Sequence, residues 1–366
     1  MRITYLVSLS TILLCCNPNA SEPIKETVFD IDFESELYND LESELDDERD
    51  NTMDTSNDID SGIGTDTVEE LEPVPNSYQL TTLNQLLKFN AIRPEIFTMG
   101  SSTDEVGREI DETSNQVILT HDYYVMTTEV TQAQWSAVMG YDAYDNFDQS
   151  SYNRGQGSNH PVYYVSWHMS ADFANAVTAL HNTQYSTSLT PCYTCTGTGT
   201  EVDCIPLMNP YQCDGYRLPT EAEWEFAARD GINKAFWTSL GGGDIPLGEE
   251  FTVTTLTDGT PLVDVGWIAA NSGNVTHEVG QKNPNGFGLY DMTGNVWEWT
   301  NDIYQEYPNS SIPLENPTGG SVGSEFSIRG GAWDSPPAQS RLAARARYHR
   351  IMRYNICGVR LFRSLP

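Results

Sequence analysis

The chain has 366 residues, 39% of them hydrophobic and 11% aromatic, enough for one large domain with a real core or for two ordinary ones. Its formal net charge is −33. So acidic a chain repels phosphate, which excludes nucleic acid and anionic lipid surfaces as partners and favours divalent cations.

The first residues read as an export signal. Arg2 precedes a mostly apolar run, Ile3 to Leu14, too short to cross a bilayer and of the right length for a signal-peptide core. Leu13-Leu14-Cys15-Cys16 follows the pattern of a bacterial lipoprotein signal, with Cys16 as the lipid acceptor. The expectation is a signal peptide over residues 1–16 and an exported protein, periplasmic or at the cell surface. It would be held to the membrane only through that lipid; simple secretion is the alternative. Residues 17–80 form an acidic linker: between 21 and 75 there are roughly twenty acids against Lys25 and Arg49. Few apolar groups and dense like charge leave nothing to offset chain entropy, so this stretch is expected to be an extended tether.

Folding is expected from residue 81. Leu80 to Asn90 carries a weak helical stripe. Short β-rich runs follow at Phe97–Met99, Val117–Leu119 and Tyr123–Met126. Thr131 caps a helix to Met139. Pro161 to Trp167, PVYYVSW, reads as a strand, and Ser170 to His181 as a helix with Phe173, Ala176, Val177 and Leu180 on one face. The clearest helix starts at Thr220, where Thr220 and Glu223 form a capping box and acids crowd the first turn. Between them, in a Gly- and Thr-rich insertion over 190–213, lie Cys192, Cys195, Cys204 and Cys213. Four cysteines can hold zinc, but an oxidising compartment favours two disulfides. Three pairings are open.

Phe287 to Asp302, FGLYDMTGNVWEWTND, fits neither helix nor strand period. Gly294-Asn295 is a turn signal. The turn would bring the Asp291 and Glu298 carboxylates together with backbone carbonyls between them, an oxygen set suited to Ca²⁺. The competing reading is that both acids cap backbone groups or pair with arginines.

The order of motifs then identifies a relationship. FTMGS with DEVGRE, TTEVTQAQW, HPVYYVSW, YRLPTEAEWEFAAR, NPNGFGLYDMTGNVWEW, RGGAW and GVRLFR follow one another. Together they resemble the formylglycine-generating enzyme, or sulfatase-modifying factor, family over residues 92–363. The resemblance implies an α+β fold of low regular content and many ordered loops, related to C-type lectins. It also implies calcium on the Asp291 and Glu298 side chains with the Gly294 and Val296 carbonyls. A second family calcium site matches only at Asn271.

Active members of that family oxidise a substrate cysteine to formylglycine with O₂ and copper(I), held by two cysteines five residues apart after an RGGS-type segment. Counting from Gly330-Gly331, those positions are Ser335 and Ser340 here. Thiolates suit Cu(I) and hydroxyls do not, so copper is not expected. Cys357 is alone and reads as a small core residue. The six histidines are scattered, with no HxxxH pair for iron. A Ser335 nucleophile would need a base, and His349 is the nearest histidine in sequence. Arg341, Arg345, Arg347, Arg350 and Arg353 stand out in so acidic a chain. By resemblance Arg329, Trp333, Arg345 and Arg347 would frame a groove for a carboxylate or extended peptide; the competing reading pairs arginines with buried acids such as those of the Thr220 helix. The expectation is a binding or structural module, a pseudoenzyme whose partner is an unidentified protein, peptide or small ligand. The alternative is an active oxidase, or another enzyme using the same groove.

Overall fold

The computed structural model describes residues 75–144 and 153–365. The expected signal peptide, the lipid acceptor Cys16 and nearly all of the acidic linker lie outside the described residues.

The described chain opens with a hairpin, β1 (Ser77–Thr82) and β2 (Gln85–Ile92), paired antiparallel. This corrects the helical stripe expected over Leu80–Asn90. Leu83 (φ 41) and Asn84 (φ 67) adopt left-handed backbone at the two-residue connection, the geometry that matches strand twist in a tight hairpin. Leu80, Leu87 and Phe89 point inward, while Leu83 sits at the apex 77% exposed. The helical spacing of Leu80, Leu83 and Leu87 was therefore incidental to the turn.

Strands β3 (Phe97–Met99), β4 (Asn115–Ile118) and β5 (Tyr123–Met126) lie near their expected places. Helix α1 (Gln132–Met139) is capped by Thr131 with a full capping box to Gln134 and stopped by left-handed Gly140. PVYYVSW, expected as a strand, is a buried irregular segment. Val162 N bonds Val130 O and Tyr164 N bonds Tyr354 O, and Tyr164 turns to φ 60, so no ladder can form. The segment delivers Ser166 as N-cap of α2 (Trp167–Tyr185), longer at both ends than its apolar face suggests.

Strands β6 (Tyr193–Thr196) and β7 (Asp203–Pro206) form a hairpin within the cysteine insertion. Cys192–Cys213 and Cys195–Cys204 are disulfide-bonded, which selects one of the three pairings. After β8 (Tyr216–Arg217) comes α3 (Glu221–Arg229), with its Thr220–Glu223 capping box. The rest is β9 (Trp297–Ile303), β10 (Leu314–Glu315), β11 (Glu325–Arg329), β12 (Arg345–His349), β13 (Cys357–Gly358) and β14 (Phe362–Ser364), separated by ordered loops.

Beside the two-stranded β6-β7 hairpin, three sheets organise the described residues, in orders β1-β2-β5-β14-β8, β10-β4-β3 and β12-β11-β9-β13. The last strand thus lies inside the sheet that the first strand begins. Two tryptophans pin the core across it: Trp167 donates to Thr300 O at 2.9 Å, and Trp299 donates to Val165 O at 3.0 Å. Each ring is fully buried with its one polar atom satisfied.

Candidate functional site

Helix α3 gathers the arginines. Its three acids, Glu221, Glu223 and Glu225, are buried, which is tolerable only with paired charge. Glu223 receives both arms of Arg217 at 2.6 and 2.7 Å. Glu225 receives Arg329 at 2.5 Å and Arg229 at 2.8 Å. Glu221 receives Arg345 through two bonds of 2.8 Å. Arg329 also donates to the Leu342 and Ala343 carbonyls, and Arg345 lies 3.7 Å from the Tyr307 ring centroid. Arg329 and Arg345, which the resemblance would place in a groove, instead follow the competing reading: they pair with the acids of the Thr220 helix and tie α3 to β11 and β12. Arg341 is likewise enclosed by Glu105 and Glu112. Of the expected groove arginines, Arg347 alone is half exposed, paired with Glu325 at 3.1 Å. Trp333 is buried, with Nε1 on Asn355 O and the Arg154 guanidinium 5.3 Å from its ring centroid.

The turn before β9 is left-handed at Asp291 (φ 56), Gly294 (φ 79) and Asn295 (φ 60). Gly294 is required here, since a Cβ would stand 2.1 Å from Trp267 O. Asn295 Nδ2 and Val296 N both donate to Glu129, at 2.7 and 3.1 Å. Glu129 was not singled out from sequence; its only local signal is an acid two residues before the Thr131 cap. Glu298 accepts from Trp224 Nε1 at 2.7 Å and from Arg360 Nη2 at 2.7 Å. Asp291 Oδ2 accepts from Gly280 N at 2.6 Å, but its Oδ1 is buried with no hydrogen-bond partner.

Burial and the neighbouring carboxylates shape the acids of this turn. Desolvation pushes the Asp291 carboxyl up to about 6, opposed by the Gly280 N–H and by Arg360. Desolvation, then Asp291 and Glu298, hold Glu129 well above the ordinary range. Three buried carboxylates thus face one buried guanidinium, Arg360. Among the described residues nothing donates a hydrogen bond to the Gly294 or Val296 carbonyl. No cluster of three His, Cys, Asp or Glu side chains suited to a metal occurs among the described residues, so a cation here would rest partly on carbonyls. An orphaned Asp291 oxygen, two open carbonyls and excess negative charge fit a hard divalent ion; Glu298 is already held by Arg360 and Trp224.

Ser335 precedes a short 3₁₀ turn, Pro337–Ser340, which Ser340 ends, and both serines are buried. Ser335 Oγ accepts from Ala332 N at 3.0 Å, and Ser340 Oγ donates to Pro336 O at 3.2 Å. Both hydroxyls are absorbed by their own loop, and no histidine bonds Ser335 among the described residues. The Ser340 side chain also fits against Gly331, where an added Cβ would come within 2.6 Å of its hydroxyl. Cys357, in β13, is the free cysteine of the described residues; it is fully buried, and burial pushes its thiol far up. A thiol so disposed is inert.

An α+β scaffold with few long elements and many ordered loops, closed by its own last strand, is the class this architecture defines. Residues 86–365 match the sulfatase-modifying factor enzyme 1-like domain, and the chain belongs to that family. It is 34% identical over 197 residues to the chaperone protein LppX of Paenibacillus barcinonensis, covering 51% of this chain and 64% of that protein. It is 35% identical over 138 residues to the formylglycine-generating enzyme of Streptomyces coelicolor, covering 36% and 41%. The chain thus spans less than two thirds of either relative. Among solved structures it is similar to Treponema denticola variable protein 1, with a TM-score of 0.62 and 26% identity over 80% of this chain and 100% of that one. The two disulfides point to an extracytoplasmic setting. Among the described residues no helix is long and apolar enough to cross a membrane.

Proposed function

We propose that this chain is an exported binding module on the sulfatase-modifying-factor scaffold, without copper-dependent cysteine oxidation. One observation carries the reading. The two positions that the family resemblance assigns to copper cysteines are Ser335 and Ser340, and both hydroxyls are bonded to their own loop. Among the described residues no thiol is placed to replace them: four cysteines are in disulfides and Cys357 is shut in the core. Soft thiolate ligation of Cu(I) therefore has no donors at this place.

The turn before β9 supports a structural calcium ion. Asp291 and the Gly294 and Val296 carbonyls would hold it, with Glu298 kept by Arg360 and Trp224, and the ion would supply positive charge against the buried carboxylates. Lipidation at Cys16 would place the module at a membrane surface with the acidic linker as its tether.

The test is direct. The purified chain is incubated with Cu(I), O₂ and a cysteine-bearing sulfatase-type peptide, and aldehyde is read by hydrazide labelling and mass spectrometry. The expected result is unmodified peptide. Turnover to formylglycine defeats the proposal.

A further inference from the structure

A second place on the molecule has the build of a ligand site and belongs to neither the Ser335–Ser340 loop nor the calcium turn. It is a cavity of about 450 Å³ between β3, the end of α3 and the loop carrying Phe287. That volume lies within the range of about 300–1,000 Å³ typical of small-molecule pockets.

The floor is aromatic. Phe97 from β3 meets Phe226 from α3 edge-on, with centroids 5.2 Å apart; Phe226 lies 5.9 Å from Phe287 with the rings 26° from parallel. Ile96 extends this surface at the mouth and is 56% exposed. Phe287 is held in place by its neighbours: Gly286 N donates to Asp230 Oδ2 at 2.5 Å, and a Cβ at Gly286 would fall 2.2 Å from that oxygen. Trp237 Nε1 donates to the same oxygen at 3.0 Å. The cradle is therefore fixed by two donors on one side of the carboxylate, and Asp230 Oδ1 receives no bond from a described residue.

Charge then selects the occupant. Four charged side chains line the cavity: Arg93, Glu95, Arg229 and Asp230. Both cations are committed elsewhere, Arg93 to Asp122 at 3.5 Å and Arg229 to Glu225 and to the Gly100 carbonyl. Neither Glu95 nor Asp230 has an ion-pair partner among the described residues. Three phenyl rings beside two carboxylates that lack an ion-pair partner favour a positive, weakly hydrated guest, because the ring quadrupole attracts cations and a bulky ammonium loses little hydration on entry. An anion would meet like charge.

We infer that the Phe97–Phe226–Phe287 cavity binds a small organic cation of the aryl- or alkylammonium class, with Glu95 and Asp230 as its counter-charges. The inference is independent of what happens at Ser335 and Ser340, so an active oxidase would leave it standing.

Isothermal titration of the full chain with benzyltrimethylammonium, benzyl alcohol and benzoate tests it. The cation should bind at least about fivefold tighter than the neutral alcohol, with benzoate weakest, as cation–π and ion-pair attraction together require. Phe287→Ala and the exposed Glu95→Gln should each weaken the ammonium by about threefold or more while leaving benzyl alcohol nearly unchanged for Glu95→Gln. Glu95→Gln keeps the test sound if Phe287→Ala misfolds. Equal affinity for all three probes, no binding of the ammonium, or ammonium binding unaffected by Glu95→Gln overturns the inference.

Discussion

Replacing Glu223 by glutamine isolates the energetic role of α3. Glu223 is fully buried and takes both arms of Arg217, and its carboxylate also caps Thr220 N at 2.9 Å. These contacts outweigh a desolvation cost that alone would raise the carboxyl: it falls from the ordinary 4.5 to about 2, chiefly through Arg217 and then His121. A depressed folded-state value means that the unfolded chain binds the proton more readily. The carboxylate therefore adds stability that is complete above the unfolded value and disappears as pH falls toward the folded one. The shift is worth about 3 kcal/mol at pH 7, of which about 2 kcal/mol is gone by pH 3. Glu223→Gln also strands Arg217, and breaking a buried pair costs about 3–5 kcal/mol. The two routes agree on a loss of about 3 kcal/mol or more at pH 7. Urea unfolding of both proteins from pH 7 to pH 3 measures it, and the gap should hold down to about pH 5 and narrow below it. A difference below about 1 kcal/mol at pH 7, or one that is flat with pH, refutes the reasoning.

Calcium chelation should lower the melting temperature, and adding the ion back should restore it, because any ligand of the folded state alone adds stability by mass action; no shift in scanning calorimetry removes calcium from the turn. Serine at Cys195 and Cys204, which are 9 residues apart in sequence, should cost about 2–3 kcal/mol in chemical denaturation, and opening Cys192–Cys213, 21 residues apart, about 3 kcal/mol. Gly294→Ala should be among the most damaging single changes in the fold, since its methyl group would enter the Trp267 carbonyl; a soluble variant with unchanged melting temperature contradicts the turn geometry.

Local signals carried well from sequence to structure. The N-cap at Thr131 and the capping box of Thr220 with Glu223 are read from local residues, and both formed. The motif order that marks the family was equally visible, because it is a property of the chain and not of its contacts. What failed was decided at long range or by backbone conformation. The Leu80–Asn90 stripe lost to a two-residue turn at Leu83-Asn84. The PVYYVSW segment lost its ladder because its N–H groups pair with Val130 and Tyr354. The arginines show the limit most clearly: the sequence left groove and buried pairing both open, and contacts at long range choose the pairing, Arg329 with Glu225 across 104 residues and Arg345 with Glu221 across 124. Nothing local distinguishes such an arginine from one that faces a ligand. Glu129 reaches Asn295 across 166 residues and was hidden for the same reason.

Hydroxyls stand in place of thiols at 335 and 340, and Cu(I) stoichiometry tests the consequence most directly. Competitive titration against a chromogenic Cu(I) chelator should show that the Ser335→Cys/Ser340→Cys double variant takes up one more tightly held equivalent than the natural chain. A natural chain that already binds that equivalent, with nothing gained by the two thiols, would place a copper seat where this structure has none.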